Sequence, residues 1–400
     1  MVKKRKGRIA IIGAGPIGLE AAVAANDGGY EVHVYERGEV GDAVRRWGHV
    51  RMFSPLGLNV SMRGLERVRQ TGAALPAPGT ILTGTEYVAH YLVPLSESLG
   101  ENIHTNVEVA AIGRSEFLKH ELIGSPQRCD APFRLLLRRG AREWTEQADI
   151  VFDCSGTFST PNHLGDGGMP AIGESACKAL ISHGAPDVLG RLRWIFENRR
   201  VLVIGSGHSA ATAIRDLATL RKTAPETSII WSTRRSMSPP FQRIEDDPLP
   251  ERDELLAQAN ALVESHRVDF RRDSSVLALE AGKAGVKVTL ANSSGTESVV
   301  IDRIIAAVGY RPDLDLTREL QAKTCYATEG SYNLAAALLG EAGGDCMAVE
   351  SFGVETLTHP EPGFFALGMK SYGRAPDFLI RTGREQIESV LAWLEKNAGA

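Results

Sequence analysis

Two glycine clusters carry the chemistry to be expected of this chain. Gly13, Gly15 and Gly18 lie in "IAIIGAGPIGLEAAVAA" (9–25), and Gly205, Gly207 and Ala210 lie in "VLVIGSGHSA" (201–210). Each cluster has G-x-G-x-x-G/A spacing directly after a short apolar run. The first glycine permits a tight turn, the second lets backbone approach a pyrophosphate, and the third lets a helix pack on a strand. Pro16 and Ile17 open the helix after the first turn; His208 lies inside the second turn, and Ser209 opens the helix after it. The free amides of such a helix start point at phosphate. The strands beyond the two helices end in opposite charges. "GYEVHVYE" ends at Glu36, with Arg37 next, and a carboxylate there accepts from both ribose hydroxyls. "SIIWSTRR" ends in Arg234 and Arg235 instead. Guanidinium groups pair with a ribose 2′-phosphate that a carboxylate would repel. The alternative for these two arginines is a solvated basic strand end. Two turns of opposite charge predict two dinucleotides, FAD on the first and NADPH on the second.

These residues need strands and helices to hold them. Ile9–Ile12 and Val201–Ile204 read as strands buried on both faces. Val32 and Val34 share one face of the strand that ends at Glu36. The second helix is expected from about Ser209 to Leu220. Further helices are expected in "ERDELLAQANALVESH", in "SYNLAAALL" (331–339) and in the amphipathic "FLIRTGREQIESVLAWL". The fold class is α/β, with two Rossmann-like dinucleotide-binding domains. No internal repeat is visible beyond the two βαβ units.

Composition narrows the function classes. The chain has 400 residues, 43% hydrophobic and 24% charged, with a net charge of −4. These values suit a globular protein of two domains, and no positive field calls for nucleic acid. The start "MVKKRKGRIAIIGAGPIG" imitates a secretory signal, but Gly13, Gly15, Gly18 and Glu20 break its apolar run. No stretch reaches the roughly 18 uninterrupted apolar residues of a membrane span. Cys129, Cys154, Cys177, Cys325 and Cys346 form no C-x-x-C pair, which argues against a redox dithiol and a zinc ribbon. Their scatter fits a cytoplasmic location with buried structural thiols.

At this point the chain resembles the two-dinucleotide-binding-domain flavoproteins, a superfamily that includes thioredoxin reductase, glutathione reductase and the class B flavin monooxygenases. "ADIVFDCSGTFSTPN" (148–162) looks like the linker between domains, with Ser155 and Gly156 beside the cofactor. "IDRIIAAVGYRPD" (301–313) looks like the return linker. "PGFFALGMKSYGR" (362–374) is similar to the late turn that reaches the flavin, through Gly368, Met369 and Lys370. "NIHTNVEVAAIGR" (102–114) resembles the strand whose backbone, near Val107, meets adenine. In "RRWGHVRMFSP" (45–55), the resemblance puts Trp47 against the flavin and Arg51 at the ring or pyrophosphate, with core packing as the alternative. The resemblance implies an NADPH domain (159–306) inserted into a split FAD domain (1–158 and 307–400), and a homodimer. "SMSPPFQRIEDDPLPERDE" (236–254) reads as a loop of the inserted domain.

The departures are informative. The absence of C-x-x-C removes the disulfide reductases of this superfamily. The late turn reads Gly-Met where many members have Gly-Asp. Aligned on His183, the class B signature F-x-G-x-x-x-H-x-x-x-Y/F reads Cys177, Ala179 and Asp187 at its other positions, so only its histidine survives. With no dithiol to accept electrons, the expectation is monooxygenation of a nitrogen or sulfur on a small-molecule substrate. Arg51 and Lys370 are the candidate catalytic residues, and Lys370 and Ser371 are candidate contacts of the flavin edge or bound NADP. The alternatives are an oxidase or electron transferase, or a flavin-bound sensor. His49, His183 and His208 read as structural, with His208 placed to touch cofactor.

Overall fold

The computed structural model describes residues 6–340, 352–376 and 378–397. The chain opens with β1 (Arg8–Ile12), α1 (Pro16–Asp27) and β2 (Glu31–Glu36). Residues 17–25 of α1 are buried without a break, so this helix is enclosed rather than laid on a surface. β3 (Ile103–Thr105), β4 (Glu108–Arg114), β5 (Phe133–Arg139), β6 (Arg142–Ala148) and β7 (Ile150–Asp153) follow. β8 (Ile181–His183) leads to a second βαβ unit made of β9 (Arg200–Ile204), α2 (His208–Leu220) and β10 (Ser228–Ser232). Next come α3 (Pro250–Glu264), β11 (Asp269–Arg271), β12 (Ser275–Gly282), β13 (Gly285–Asn292), β14 (Gly295–Ile301) and β15 (Arg303–Ala306). The chain ends with β16 (Phe364–Ala366), α4 (Met369–Tyr372) and α5 (Ile380–Asn397). The helix expected over 331–339 runs Tyr332–Gly340.

The chain divides into two compact units. The first is Met1–Gly48, Pro55–Thr160 and Arg311–Ala400, and the second is His49–Ser54 and Pro161–Tyr310. Residues 49–54, expected with the first domain, thus group with the second. Among the described residues no helix is long and apolar enough to cross a membrane.

In the first unit a parallel sheet has the order β16-β7-β1-β2-β3. The chain builds outward from β1 through β2 to β3, then places β7 on the other side of β1. That reversal opens a crevice beyond the strand ends of β1 and β7, where open α/β sheets bind ligands. An antiparallel meander, β4-β5-β6, packs on one face through Val109, Phe133, Leu135 and Leu137 against Ala10, Ile12 and Tyr35. The return of the chain is fixed by a fully buried cluster, in which Glu361 holds Arg114 (3.0 Å) and Arg128 (2.9 Å).

The second unit has the same plan. Its parallel sheet has the order β11-β10-β9-β15-β8, and its meander is β12-β13-β14. The strand order reverses at β9, between β10 and β15. The duplication visible in the sequence as two βαβ units therefore extends to sheet, switch point and meander. Its core centres on Trp231, stacked between Phe241 (4.7 Å) and Phe270 (4.1 Å).

Candidate dinucleotide sites

In the first unit the chain leaves β1 at Gly13, whose φ of +99° and close approach to the Cys154 carbonyl (2.9 Å from an added Cβ) leave no place for a side chain. An added Cβ on Gly18 would lie 1.9 Å from the Gly13 carbonyl, so the α1–β1 packing also needs glycine. Gly15 is different: its added Cβ would meet nothing within 4 Å. It stands at the N-cap of α1 with no side chain capping the helix, and Pro16 has no N–H to satisfy. Open space and uncapped amides are the arrangement in which a helix start can hold an anion. Glu36 lies beside it, its carboxylate accepting from the amides of Ala14 (2.9 Å) and Gly38 (2.8 Å). Each oxygen keeps a lone pair for a ribose hydroxyl. Arg37 is exposed and makes no ion pair among the described residues.

Two segments distant in sequence close on this turn. An added Cβ on Gly368 would lie 2.9 Å from Ile17, and one on Gly383 of α5 would lie 2.5 Å from the same side chain. Ile17 thus anchors the late turn and the last helix to the first. The Gly368 amide donates to Gln386 (2.8 Å), and Met369 is half-buried. Lys370 is only 4% exposed. Its ammonium donates to the Asp313 carbonyl (2.6 Å) and to Ser155 Oγ (3.2 Å). It also lies 3.2 Å from Asp153 Oδ2, whose residue is fully buried. That last approach is a charge contact, because Oδ2 has no hydrogen-bond donor. Asp153 Oδ1 in turn accepts from the Ser155 hydroxyl (2.6 Å) and amide (3.1 Å). Gly156 follows at φ +66°, its Cβ position open. The glycine turn, the end of β7 and the late turn form one cluster.

Trp47 lies at the edge of the same unit, its ring against Gly84 (2.8 Å from an added Cβ). Its indole Nε1 is buried without a partner, a donor left over by the protein. The segment is tied to the first turn by Gly41, whose amide donates to the Ala14 carbonyl (3.0 Å). Val107, whose backbone was expected near adenine, stands beside Glu36. Its amide donates to the Glu36 carbonyl (2.9 Å) and its side chain is core, so the amide is not free for adenine.

The second turn repeats the first in its own unit. Gly205 has φ +124° and an added Cβ would lie 2.1 Å from the Ala307 carbonyl, whereas Gly207 again faces open space. Ala210 is fully buried where the first turn needed Gly18. α2 starts at His208, one residue earlier than the pattern suggested, with Gly207 as its N-cap and no side-chain cap. Ser209 lies in this first turn. The His208 ring packs on Phe53 (5.2 Å), and burial followed by the nearby Arg252 charge holds its pKa below the ordinary value. Arg234 and Arg235 follow β10, exposed and without a carboxylate partner among the described residues. Arg51, expected at the flavin ring or pyrophosphate, lies in the second unit. Its guanidinium pairs with Glu251 of α3 at 3.0 Å.

Asp153, Asp313 and Gln386 were not singled out from the sequence. The available signal was a lysine, Lys370, directly after the Gly-Met of the late turn, and an aspartate, Asp153, at the end of the β7 strand.

Residues 10–129 match the family described as pyridine nucleotide-disulphide oxidoreductase. No curated protein matches in sequence. Solved structures match over the full length at low identity. The bacillithiol disulfide reductase Bdr of Bacillus cereus superposes with a TM-score of 0.71 at 16% identity, covering 98% of this chain and 99% of that one. The chain has the fold of the two-dinucleotide-binding flavoproteins. Thioredoxin reductase of T. acidophilum gives 0.63 at 15% identity over 99% and 100% of the two chains. The ornithine N-hydroxylase of Kutzneria sp. 744, in a complex with reduced FAD, NADP+ and L-ornithine, gives 0.64 at 15% identity over 97% and 98%. The similar structures thus include both reductases and hydroxylases. The cysteines of this chain bear on that division. Cys129, Cys154, Cys177 and Cys325 are all unpaired, and Cys346 lies outside the described residues. Burial, reinforced by the Asp153 charge, pushes the Cys154 thiol well above its ordinary pKa, so it is a poor nucleophile.

Proposed function

We propose that the chain is an FAD-dependent oxidoreductase that takes a hydride from NADPH and oxygenates a nitrogen or sulfur of a small molecule. One substrate, one NADPH, one proton and one O2 yield one oxygenated product, one NADP+ and one water. The observation that carries the dinucleotide part is the pairing of two open glycine turns with opposite charge, Glu36 at one and, at the other, Arg234 and Arg235, which have no carboxylate partner among the described residues. The residues present suit both groups. For FAD, the α1 amides would take the pyrophosphate, Glu36 the ribose, and the orphaned Trp47 Nε1 supplies a further donor. For NADPH, the α2 amides would take the pyrophosphate and Arg234 and Arg235 the 2′-phosphate. Bound flavin supplies two-electron transfer and oxygen activation. The protein contributes orientation and a fixed charge, with Lys370 held by Asp153, Ser155 and Asp313 beside the first turn. Arg51, already paired, is given no part in the reaction. Oxygenation is preferred over disulfide reduction because the described cysteines form no dithiol.

The test is staged. The purified FAD-loaded protein is reduced anaerobically with NADPH and with NADH, and then supplied with O2 and a panel of primary amines and thioethers. Faster reduction by NADPH and a hydroxylated amine or sulfoxide formed in step with NADPH consumption support the proposal. Reduction with release of hydrogen peroxide alone places the chain among oxidases. NADPH consumption that depends on an added disulfide makes it a reductase. Failure of either nucleotide to reduce the flavin sinks the two-dinucleotide assignment.

A further inference from the structure

The first unit has a cavity that the dinucleotide chemistry leaves unused. It has a volume of about 290 Å3 and lies between the parallel sheet and the β4–β6 meander. His33 and Tyr35 of β2, His104 of β3 and Trp144 of β6 give it an aromatic lining. Strand alternation turns His33 and Tyr35 to the face opposite Val32, Val34 and Glu36. Arg8, at its far end, stands at the start of β1, whereas Gly13 stands just beyond its end. The cavity thus lies on the opposite face of the strand from the Glu36 carboxylate, although Val107, whose amide donates to the Glu36 carbonyl, also lines it.

The rings of His33, Tyr35 and His104 lie within 19° of parallel. His33 Nδ1 and His104 Nε2 are 3.0 Å apart, so one ring donates and the other must keep an unprotonated nitrogen. His33 Nε2 meets Glu31 at 3.2 Å. Arg8 reaches Glu146 (3.1 Å) and the Tyr35 hydroxyl (3.4 Å), while its Nε is buried with no partner. At the rim, Arg139 and Arg142 are exposed and have no carboxylate partner among the described residues, Arg138 having taken both Glu108 and Glu143. Arg142 stands over the Trp144 ring at 5.3 Å. Among the described residues, three guanidinium groups thus stand against two carboxylates, Glu146 in the lining and Glu31 on His33. Burial and the neighbouring His33, Arg139 and Arg8 charges hold His104 below its ordinary pKa against the pull of Glu146.

We infer that this cavity binds a small planar aromatic anion, its ring among the histidines, Tyr35 and Trp144 and its carboxylate on Arg139 and Arg142. Arginine matches a carboxylate in a bidentate way and also stacks on aromatic faces. An added negative charge favours protonation of His104, which burial chiefly opposes, so binding takes up a proton.

The experiment is calorimetric titration of the FAD-loaded protein with benzoate, 2-naphthoate and inorganic phosphate. It is run at near-neutral pH in two buffers of different ionisation enthalpy. The aromatic acids are expected to bind in the micromolar to submillimolar range, with phosphate at least tenfold weaker, on the order of 1.4 kcal/mol. Up to one proton should be taken up per ligand. The double variant Arg139→Gln/Arg142→Gln should weaken binding roughly tenfold or more. His104→Asn should abolish the proton uptake. Both variants should leave NADPH-driven flavin reduction unchanged. No heat with either aromatic acid up to about 10 mM overturns the inference. Binding unchanged in the double variant, or phosphate as tight as naphthoate, also overturns it. None of these outcomes depends on the proposed reaction.

Discussion

Replacing Lys370 with methionine keeps the length of the side chain and removes the charge. Asp153 would then be a fully buried carboxylate with only the Ser155 amide and hydroxyl as donors. Removing one partner of a buried pair costs about 3–5 kcal/mol, chiefly through the uncompensated charge left behind. At roughly 2–4 °C per kcal/mol for a folding unit of this size, the melting temperature should fall by about 6–20 °C. Asp153→Asn alone should also destabilise, because the ammonium keeps only its bonds to the Asp313 carbonyl and Ser155. The double variant Lys370→Met/Asp153→Asn removes both charges and should lose at least about 1 kcal/mol less than the sum of the singles. The assay is thermal unfolding of the four proteins by circular dichroism, with bound flavin quantified by absorbance before each scan. The cluster also sits on the first glycine turn, so the single variants should retain less FAD. Additive losses, or a Lys370→Met melt within about 2 °C of the parent, would refute the coupling of these two side chains.

The second unit and one histidine yield further expected outcomes. Arg234→Gln/Arg235→Gln should raise the KM for NADPH at least tenfold, about 1.5–3 kcal/mol for lost charge-assisted bonds, and leave the KM for NADH unchanged; equal effects on both would remove the 2′-phosphate role. Gly207→Val should leave the melting temperature within about 2 °C while weakening NADPH use, because its side chain enters open space. Gly205→Ala, by contrast, should fail to fold stably, given the φ of +124° and the Ala307 carbonyl at 2.1 Å. Burial pushes the pKa of His359 down to about 4. The unfolded chain therefore takes up a proton near pH 6.5 while the folded one does not, and stability is lost as pH falls from there through about 4. Urea melts at pH 7 and pH 4.5 should show a smaller loss in His359→Gln than in the parent.

The two βαβ units, their glycine turns and the charge beyond each were legible in the sequence. Those signals are local: an apolar run, a spacing of glycines and the strand-end residue all fall within about 30 residues. The late turn around Gly368 was legible too, though only through resemblance. Which side chains meet across the fold was set by tertiary packing. Lys370 and Ser155 are 215 positions apart, and they touch only because β7 and β16 are neighbours in the first sheet. Strand order of that kind is set by which faces bury together, and no periodicity within a segment encodes it. The same holds for Arg51, which pairs with Glu251, and for Val107, whose amide is taken by the Glu36 carbonyl. The histidine cavity was equally hidden. His33, His104 and Trp144 come from three strands, and their common face exists only once the meander has folded back onto the sheet.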